Sequence, residues 1–337
     1  MENQDINKKS FDNIALSSRI RLARNISENS YPWKMDEAAG IEVAGLIRRA
    51  ALEKGGLEKY GFEFKFVSEM NKDEKADLIA NHLISFDLIK NPKTGGILIS
   101  GDKTVSILVN EEDHLRIQTV LPGFDLGNAW QEVDTVDNLM EEHLSYAFDK
   151  HYGYLTACPS NIGTGMRASV MLHLPALAFT KYIKRVFDIT NTIGLTVRGL
   201  YGEGTKTEGD IYQISNQVTI GRTEADIIGD LEKITMHVMA KERQARQFLV
   251  TKQKTRTEDR IFRAIGILQN ARLMSRIESM KLLSLIRLGV DIEIIKNVEM
   301  DDLDILTKEL QSIEKNDTTE SAEEIAMKVR EFFNKRR

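Results

Sequence analysis

The run "SSRIRLARN" (17–25) sets Arg19 and Arg21 two residues apart and alternates them with Ile20 and Leu22. Read as an extended strand, it turns both guanidinium groups to one face and both aliphatic side chains to the other. A guanidinium stays charged at any working pH and grips anionic oxygens through parallel N–H donors. The spacing therefore predicts a site built for a multiply charged anion. Three more arginines stand beside short special motifs: Arg116 after "VNEED", Arg167 after "CPSNIGTGM", and Arg198 at the head of "RGLYGEGTKTEGD". Taken singly, an arginine at a strand end is a surface residue. Taken together, four or five can clamp a triphosphate and spread charge during phosphoryl transfer, in place of a P-loop. Carboxylates in such a site repel phosphate. They make sense there only if they hold a cation, either magnesium or a cationic substrate.

The elements that must position these groups are legible in outline. With 337 residues the chain has room for about two domains. Its 42% hydrophobic and 29% charged residues fit a soluble globular protein. A net charge of −5 and a pI of about 5.8 make nucleic acid a poor partner. Cys158 is the single cysteine, so no intrachain disulfide forms, which suits a reducing compartment. The start "MENQDINKKS" is no signal peptide, and no apolar run is long enough for a membrane span. The expected location is the cytoplasm.

"EAAGIEVAGLIRRAALEKGG" (37–56) reads as an amphipathic helix stopped by Gly55 and Gly56. Strands are predicted at "FEFKFV" (62–67), "GILIS" (96–100), "TVSILV" (104–109), "SVMLHL" (169–174), "TIGLTVRGL" (192–200) and "DIYQIS" (210–215). The "SGDKT" turn joins two of them at hairpin distance, so the sheet is antiparallel at least in part. From about residue 223 the chain is almost all helix-forming, with a boundary near 250 and a polar break at "EKNDTTESAEE" (314–324). The expected fold class is α+β: a largely antiparallel sheet flanked by helices, then an all-helical C-terminal domain.

"SSRIR", "VNEEDHLR", "CPSNIGTGMRASV", "RGLYGEG" and "YQISNQVTIG" resemble, in order and spacing, the catalytic domain of the phosphagen (guanidino) kinases, the creatine and arginine kinases. The resemblance implies a glutamine-synthetase-like catalytic domain over 13–245 and a helical domain for dimerisation and regulation over 250–337. The arginine pair stands as early as residue 19, which implies that the family's N-terminal helical domain is missing. That layout is similar to the bacterial protein-arginine kinases, which phosphorylate arginine side chains on proteins.

Carried over position by position, Ser17, Ser18, Arg19, Ile20 and Arg21 match the nucleotide-binding run, and His82 in "NHLISFDLI" matches a histidine near the nucleotide. Arg116 matches a phosphate-clamping arginine, as do Arg167 and Arg198. "RASVM" (Arg167, Ala168, Ser169, Val170, Met171) and "RGLYG" (Arg198, Gly199, Leu200, Tyr201, Gly202) should line the nucleotide site. Glu112 and Glu203 match the two carboxylates that hold the acceptor guanidinium, with Glu112 chosen over Glu111 by its register to Arg116. Cys158 matches the cysteine beside the acceptor. The resemblance implies ATP and Mg2+ as ligands. Its implied partners are proteins with exposed arginines, an activator protein, a Clp chaperone-protease, and a second copy bound through the C-terminal helices. One departure stands out. Many of these kinases carry an Arg-Asp-x-x-Arg-Ala motif that binds phosphoarginine, and the matching "EKNDTTESAEEIAMKVR" lacks it. The competing readings are a kinase for a free guanidino metabolite and a non-catalytic adaptor.

Overall fold

The computed structural model describes residues 12–54, 56–192, 194–199, 207, 209–313 and 318–336. Among these, eight strands form one antiparallel sheet: β1 (Ala15–Arg24), β2 (Glu63–Phe66), β3 (Gly96–Ile99), β4 (Val105–Val109), β5 (Leu115–Pro122), β8 (Met166–His173), β9 (Leu195–Gly199) and β10 (Ile211–Asn216). A two-stranded ribbon, β6 (Phe148–Asp149) and β7 (Gly153–Tyr154), stands apart. The spatial order is β2-β3-β4-β5-β1-β8-β10-β9, which puts the arginine-bearing β1 near the middle. The hairpin expected around "SGDKT" is the β3–β4 pair. The helix expected over 37–56 is α1 (Glu37–Arg49), followed by a π-helical turn at Ala50–Lys54.

The two sheet faces are covered differently, and this makes the site. On one face Ile20, Leu22, Ile117, Ala168, Val170 and Ile214 are fully buried in the main core. That face lies under α4 (Leu126–Glu141), which packs on β1 and β5, and α7 (Glu224–Lys252), which packs on β8 and β10. On the opposite face the β2–β4 end is capped. There Ile97 and Leu108 pack with Leu78 of α2 (Lys72–Ala80) and Leu88 of α3 (Phe86–Ile89) in a second, smaller core. The middle strands of this face carry Arg19, Arg21, Gln118, Arg167 and Ser169.

Two buried ion networks lock the assembly. Arg24, at the end of β1, donates to Asp137 of α4 at 2.6 and 3.0 Å and stacks 3.6 Å over the Tyr154 ring. Arg246 of α7 pairs with Glu242 at 2.9 Å and with Asp291 at 2.8 Å. Asp291 closes α9 (Arg276–Asp291), and Glu242 accepts from the Ala176 and Leu177 backbone N–H groups that open α5 (Pro175–Phe179). The sheet edge, α7 and the C-terminal helices are thus joined through one charged cluster. Around α9 pack α8 (Lys254–Asn270), α10 (Met300–Ser312) and α11 (Thr319–Asn334), while α6 (Ile183–Thr192) covers β9. No helix among the described residues is long and apolar enough to cross a membrane.

Candidate active site

Register brings the arginines together. Residues directly opposite on antiparallel strands point to the same face. Arg21 lies opposite Arg167 on β8 and Gln118 on β5; Arg19 lies opposite Ser169 and Val120; Ala23 lies opposite Arg116. Gln213 of β10 lies opposite both Met171 and Arg198. Arg19, Arg21, Arg116, Arg167 and Arg198 therefore share the uncapped face, although they come from four strands. Ser17, Ser169 and Met171 point the same way.

The same register sorts the expected nucleotide-binding set by sheet face. Ile20, Ala168 and Val170 point into the main core and are fully buried, so their side chains hold the strands. Ser18 also faces inward, where its hydroxyl donates to the Gly123 carbonyl at 3.0 Å and accepts from the Asp125 N–H. Gly199 is buried at the end of β9. Leu200, Tyr201, Gly202 and Glu203 lie outside the described residues.

Five cations on one face are costly. Arg21 and Arg167 are cross-strand neighbours, a pairing that destabilises a sheet when the charges are alike. Burial, then the charge of Arg116, pulls the Arg19 pKa down to about 9. Burial, then Arg19, Arg116 and Arg167, pulls Arg21 well below its ordinary value, and burial with Arg198 lowers Arg167. The Nε atoms of Arg19, Arg21 and Arg116 are buried with no hydrogen-bond partner among the described residues. Buried donors of this kind are normally satisfied. A polyphosphate laid on this face supplies both the missing acceptors and the missing negative charge.

Some residues that fix the site were not singled out in the sequence. Gln118 accepts from Arg19 through Oε1, while its amide donates to the carbonyls of His82 at 3.1 Å and Leu83 at 2.8 Å. It thereby fastens the His82 turn over the arginine face. His82 holds a left-handed φ of 59°, and burial, then Arg19, then Lys308, lowers its pKa to about 4.

The acidic motif is a bend between β4 and β5, not a strand end, so Glu111 and Glu112 are not separated by simple alternation. Asn110 takes a left-handed φ of 54°. Glu111 is almost fully enclosed, pairs with Arg116 and accepts from the Ser85 hydroxyl. Glu112 is the more exposed of the two, and partial desolvation of its carboxylate, then the charges of Asp113 and Glu111, raises its pKa. Buried Asp113 accepts from Asn25 Nδ2 and from the Ala157 N–H, both at 2.6 Å. His114 Nδ1 accepts from the Ile26 N–H at 3.0 Å, which leaves Nε2–H to donate to the Ser30 carbonyl. These bonds pin the bend against the segment that carries Cys158. The glycine of "GTGMR" serves the same closeness. Gly165 has a φ of 65°, and a Cβ there would meet the Ala23 carbonyl at 2.6 Å.

Comparison with known proteins agrees with this geometry. A model of the ATP:guanido phosphotransferase C-terminal catalytic domain matches residues 44–245, and one of the protein-arginine kinase McsB C-terminal domain matches residues 254–326. A protein-arginine kinase of Caldanaerobacter subterraneus subsp. tengcongensis is 48% identical over 298 residues, 88% of each chain. One of Geobacillus stearothermophilus is 45% identical over 298 residues, 88% of this chain and 82% of its own. Among solved structures, a lombricine kinase matches with a TM-score of 0.60 at 28% identity, over 69% of this chain and 67% of that one. The duplicated taurocyamine kinase of Schistosoma mansoni gives 0.64 at 23% identity, over 77% of this chain and 39% of its own, a likeness of fold alone. With the arginine face, the antiparallel sheet and these matches in agreement, the chain belongs to the ATP:guanido phosphotransferase family, ATP-dependent enzymes that phosphorylate guanidino groups.

Proposed function

We propose that the chain is a protein-arginine kinase, transferring the γ-phosphoryl group of ATP to arginine side chains of proteins. One observation carries this most: a sheet face of five arginines that ends at the carboxylate bend 110–114. Arg19, Arg21, Arg116, Arg167 and Arg198 hold the phosphates and spread charge as it moves to the leaving oxygen. A free guanidinium is protonated and a poor nucleophile, with a pKa above ~12. Glu112 and Glu203 flank it and orient it through paired hydrogen bonds. As the N–P bond forms and the bond to the ADP oxygen breaks, one carboxylate takes the released proton. The raised pKa of Glu112 suits a proton acceptor. Among the described residues no group of three or more His, Cys, Asp or Glu side chains is placed to hold a metal. Magnesium would be carried by the phosphate oxygens of the bound nucleotide and would supply charge neutralisation there.

The relatives named protein-arginine kinase support a protein acceptor. In the same reading residues 13–245 are the catalytic unit and 250–337 a helical unit for pairing with a second copy. The phosphoarginine product would mark cytoplasmic proteins for Clp-dependent degradation, relieve a heat-shock repressor, and respond to an activator. The solved lombricine kinase keeps a free guanidino acceptor as the alternative. Radiolabelled ATP offered with casein or with free arginine separates the two. Acid-labile label on casein is expected; label on free arginine alone overturns the protein acceptor. Glu112→Gln should abolish transfer, a loss of at least about 10²-fold, and still bind ATP. Full activity in that variant would sink the assigned chemistry.

A further inference from the structure

Away from the arginine face the chain carries a second cationic surface. A groove of about 740 Å3 opens where the turn after α5 meets the last turns of α7 and the start of α8. Its floor is apolar. Leu177 is buried and Phe179 half-buried, and Ala245 and Phe248 of α7 join them. Phe248 stays 43% exposed, so this floor is left partly uncovered. Lys181, Lys241 and Arg256 stand around it, and among the described residues no carboxylate lines it.

The groove has its shape before anything binds. Arg260 of α8 stacks 4.3 Å over the Phe179 ring, and Arg256 lies 5.7 Å from it. The turn is tight, with Lys181 at a φ of 60° and the Tyr182 N–H donating to the Leu177 carbonyl at 2.9 Å. Below it, Glu242 accepts from the Ala176 and Leu177 N–H groups and pairs with Arg246, which reaches Asp291. The floor therefore rests on the charged cluster that joins the sheet to the C-terminal helices. A surface fixed in this way loses little freedom when a partner settles on it.

The cations here are unpaired. Neighbouring Lys254 pairs with Glu258 at 3.9 Å, but Lys181, Lys241, Arg256 and Arg260 make no ion pair among the described residues. Glu258 and Asp259 follow Arg256 on α8 without lining the groove. On a chain of net charge −5, this is a local patch of positive potential around an apolar floor.

We propose that the groove docks an acidic segment of a partner protein, one that carries a bulky apolar side chain among its carboxylates. The floor takes the apolar anchor and the cationic rim takes the carboxylates, the usual division of labour in a protein interface. Charge complementarity chooses the sign of the partner, and the buried floor chooses a polypeptide. Nucleic acid needs a long cationic track for its phosphates, and the acidic chain as a whole repels it.

The test follows the fluorescence anisotropy of dye-labelled probes on the full chain. One probe is a short peptide of glutamates around a central phenylalanine, the second has serine in place of that phenylalanine, and the third is an oligothymidylate of equal length. The first should bind at least about tenfold more tightly than the second, and added salt should weaken it. Lys181→Glu combined with Arg256→Glu should weaken it at least about tenfold. Both side chains are exposed, so the variant should keep the parent's thermal midpoint. Equal affinity of parent and variant would overturn the proposal, as would binding of none of the probes. Tighter binding of the oligothymidylate than of the peptide would overturn it in favour of nucleic acid. Sedimentation in which the parent self-associates and the variant does not would overturn it in favour of a second copy. A photoreactive phenylalanine analogue in the first peptide reads the unaltered chain, free of any folding defect. Cross-links should fall within 177–182 or 241–256, and cross-links confined to other segments would equally overturn the assignment.

Discussion

Gln118 shows how an uncharged side chain sets a charged site. It ties Arg19 to the His82 turn, so the guanidinium and the imidazole move together. Burial first, then the cationic surroundings, decide the ring's protonation. With a pKa of about 4 in the folded chain against an ordinary 6.5, the ring is neutral when folded where the unfolded chain already takes a proton. Its contribution to stability is whole above pH 6.5 and is lost as pH falls towards about 4. The unfolding free energy of the parent, measured against His82→Asn, should fall relative to the variant across that window and run parallel above it. In NMR titrations the His82 ring should have its midpoint near 4 and move upward with nucleotide bound, because phosphate offsets Arg19. A midpoint at the ordinary value in the free protein would contradict the buried, cation-flanked placement. Gln118 itself was not legible in sequence. A polar residue inside a strand looks like a solvent-facing position, and only the fold shows that its amide feeds a turn 35 residues away.

At the scale of elements, legibility followed how cleanly each strand alternates. β1 was readable because arginine and aliphatic residues trade places along it, and the β3–β4 hairpin because a polar turn separates two aliphatic runs. β5 escaped notice because Gln118 and Thr119 are both fully buried, each spent on internal hydrogen bonds, so its pattern has no wet side. The grip of α4 on β1 also escaped, since it depends on Arg24 meeting Asp137 across 113 residues. Both partners are nearly sealed from solvent. Asp137→Ala should therefore cost about 3–5 kcal/mol by leaving a buried charge unpaired, whereas Arg24→Met with Asp137→Leu should cost much less. Urea denaturation of the two variants checks this. Equal losses would mean that the pair acts by shape and not by charge.

For the whole molecule, the contrast is between an acidic protein of net charge −5 and one strongly cationic face. The repulsion stored there should be released by a polyanion. Tripolyphosphate at a hundredfold excess over its Kd should stabilise the fold by about 2.7 kcal/mol. The thermal midpoint should rise accordingly. Added sodium chloride should erode that gain by screening. A gain that ignores salt would place the ion somewhere other than the arginine face. The helical C-terminal unit was expected as a domain for dimerisation and regulation. Its bonds to Asp210, His173 and Asn81 also tie it to the sheet. Spacing along the chain carries no trace of that contact, because Lys308 follows Asn81 by 227 positions.

A pleated sheet that presents cations on one side and aliphatic residues on the other accepts replacement but not slippage. One residue inserted into β1 would swing Arg19 and Arg21 into the oily layer and push Ile20 and Leu22 out. The phosphate donor's berth is consequently frozen by pleat geometry. The bend at 110–114 obeys no such parity, so under the proposed function a change of acceptor there leaves the donor side untouched.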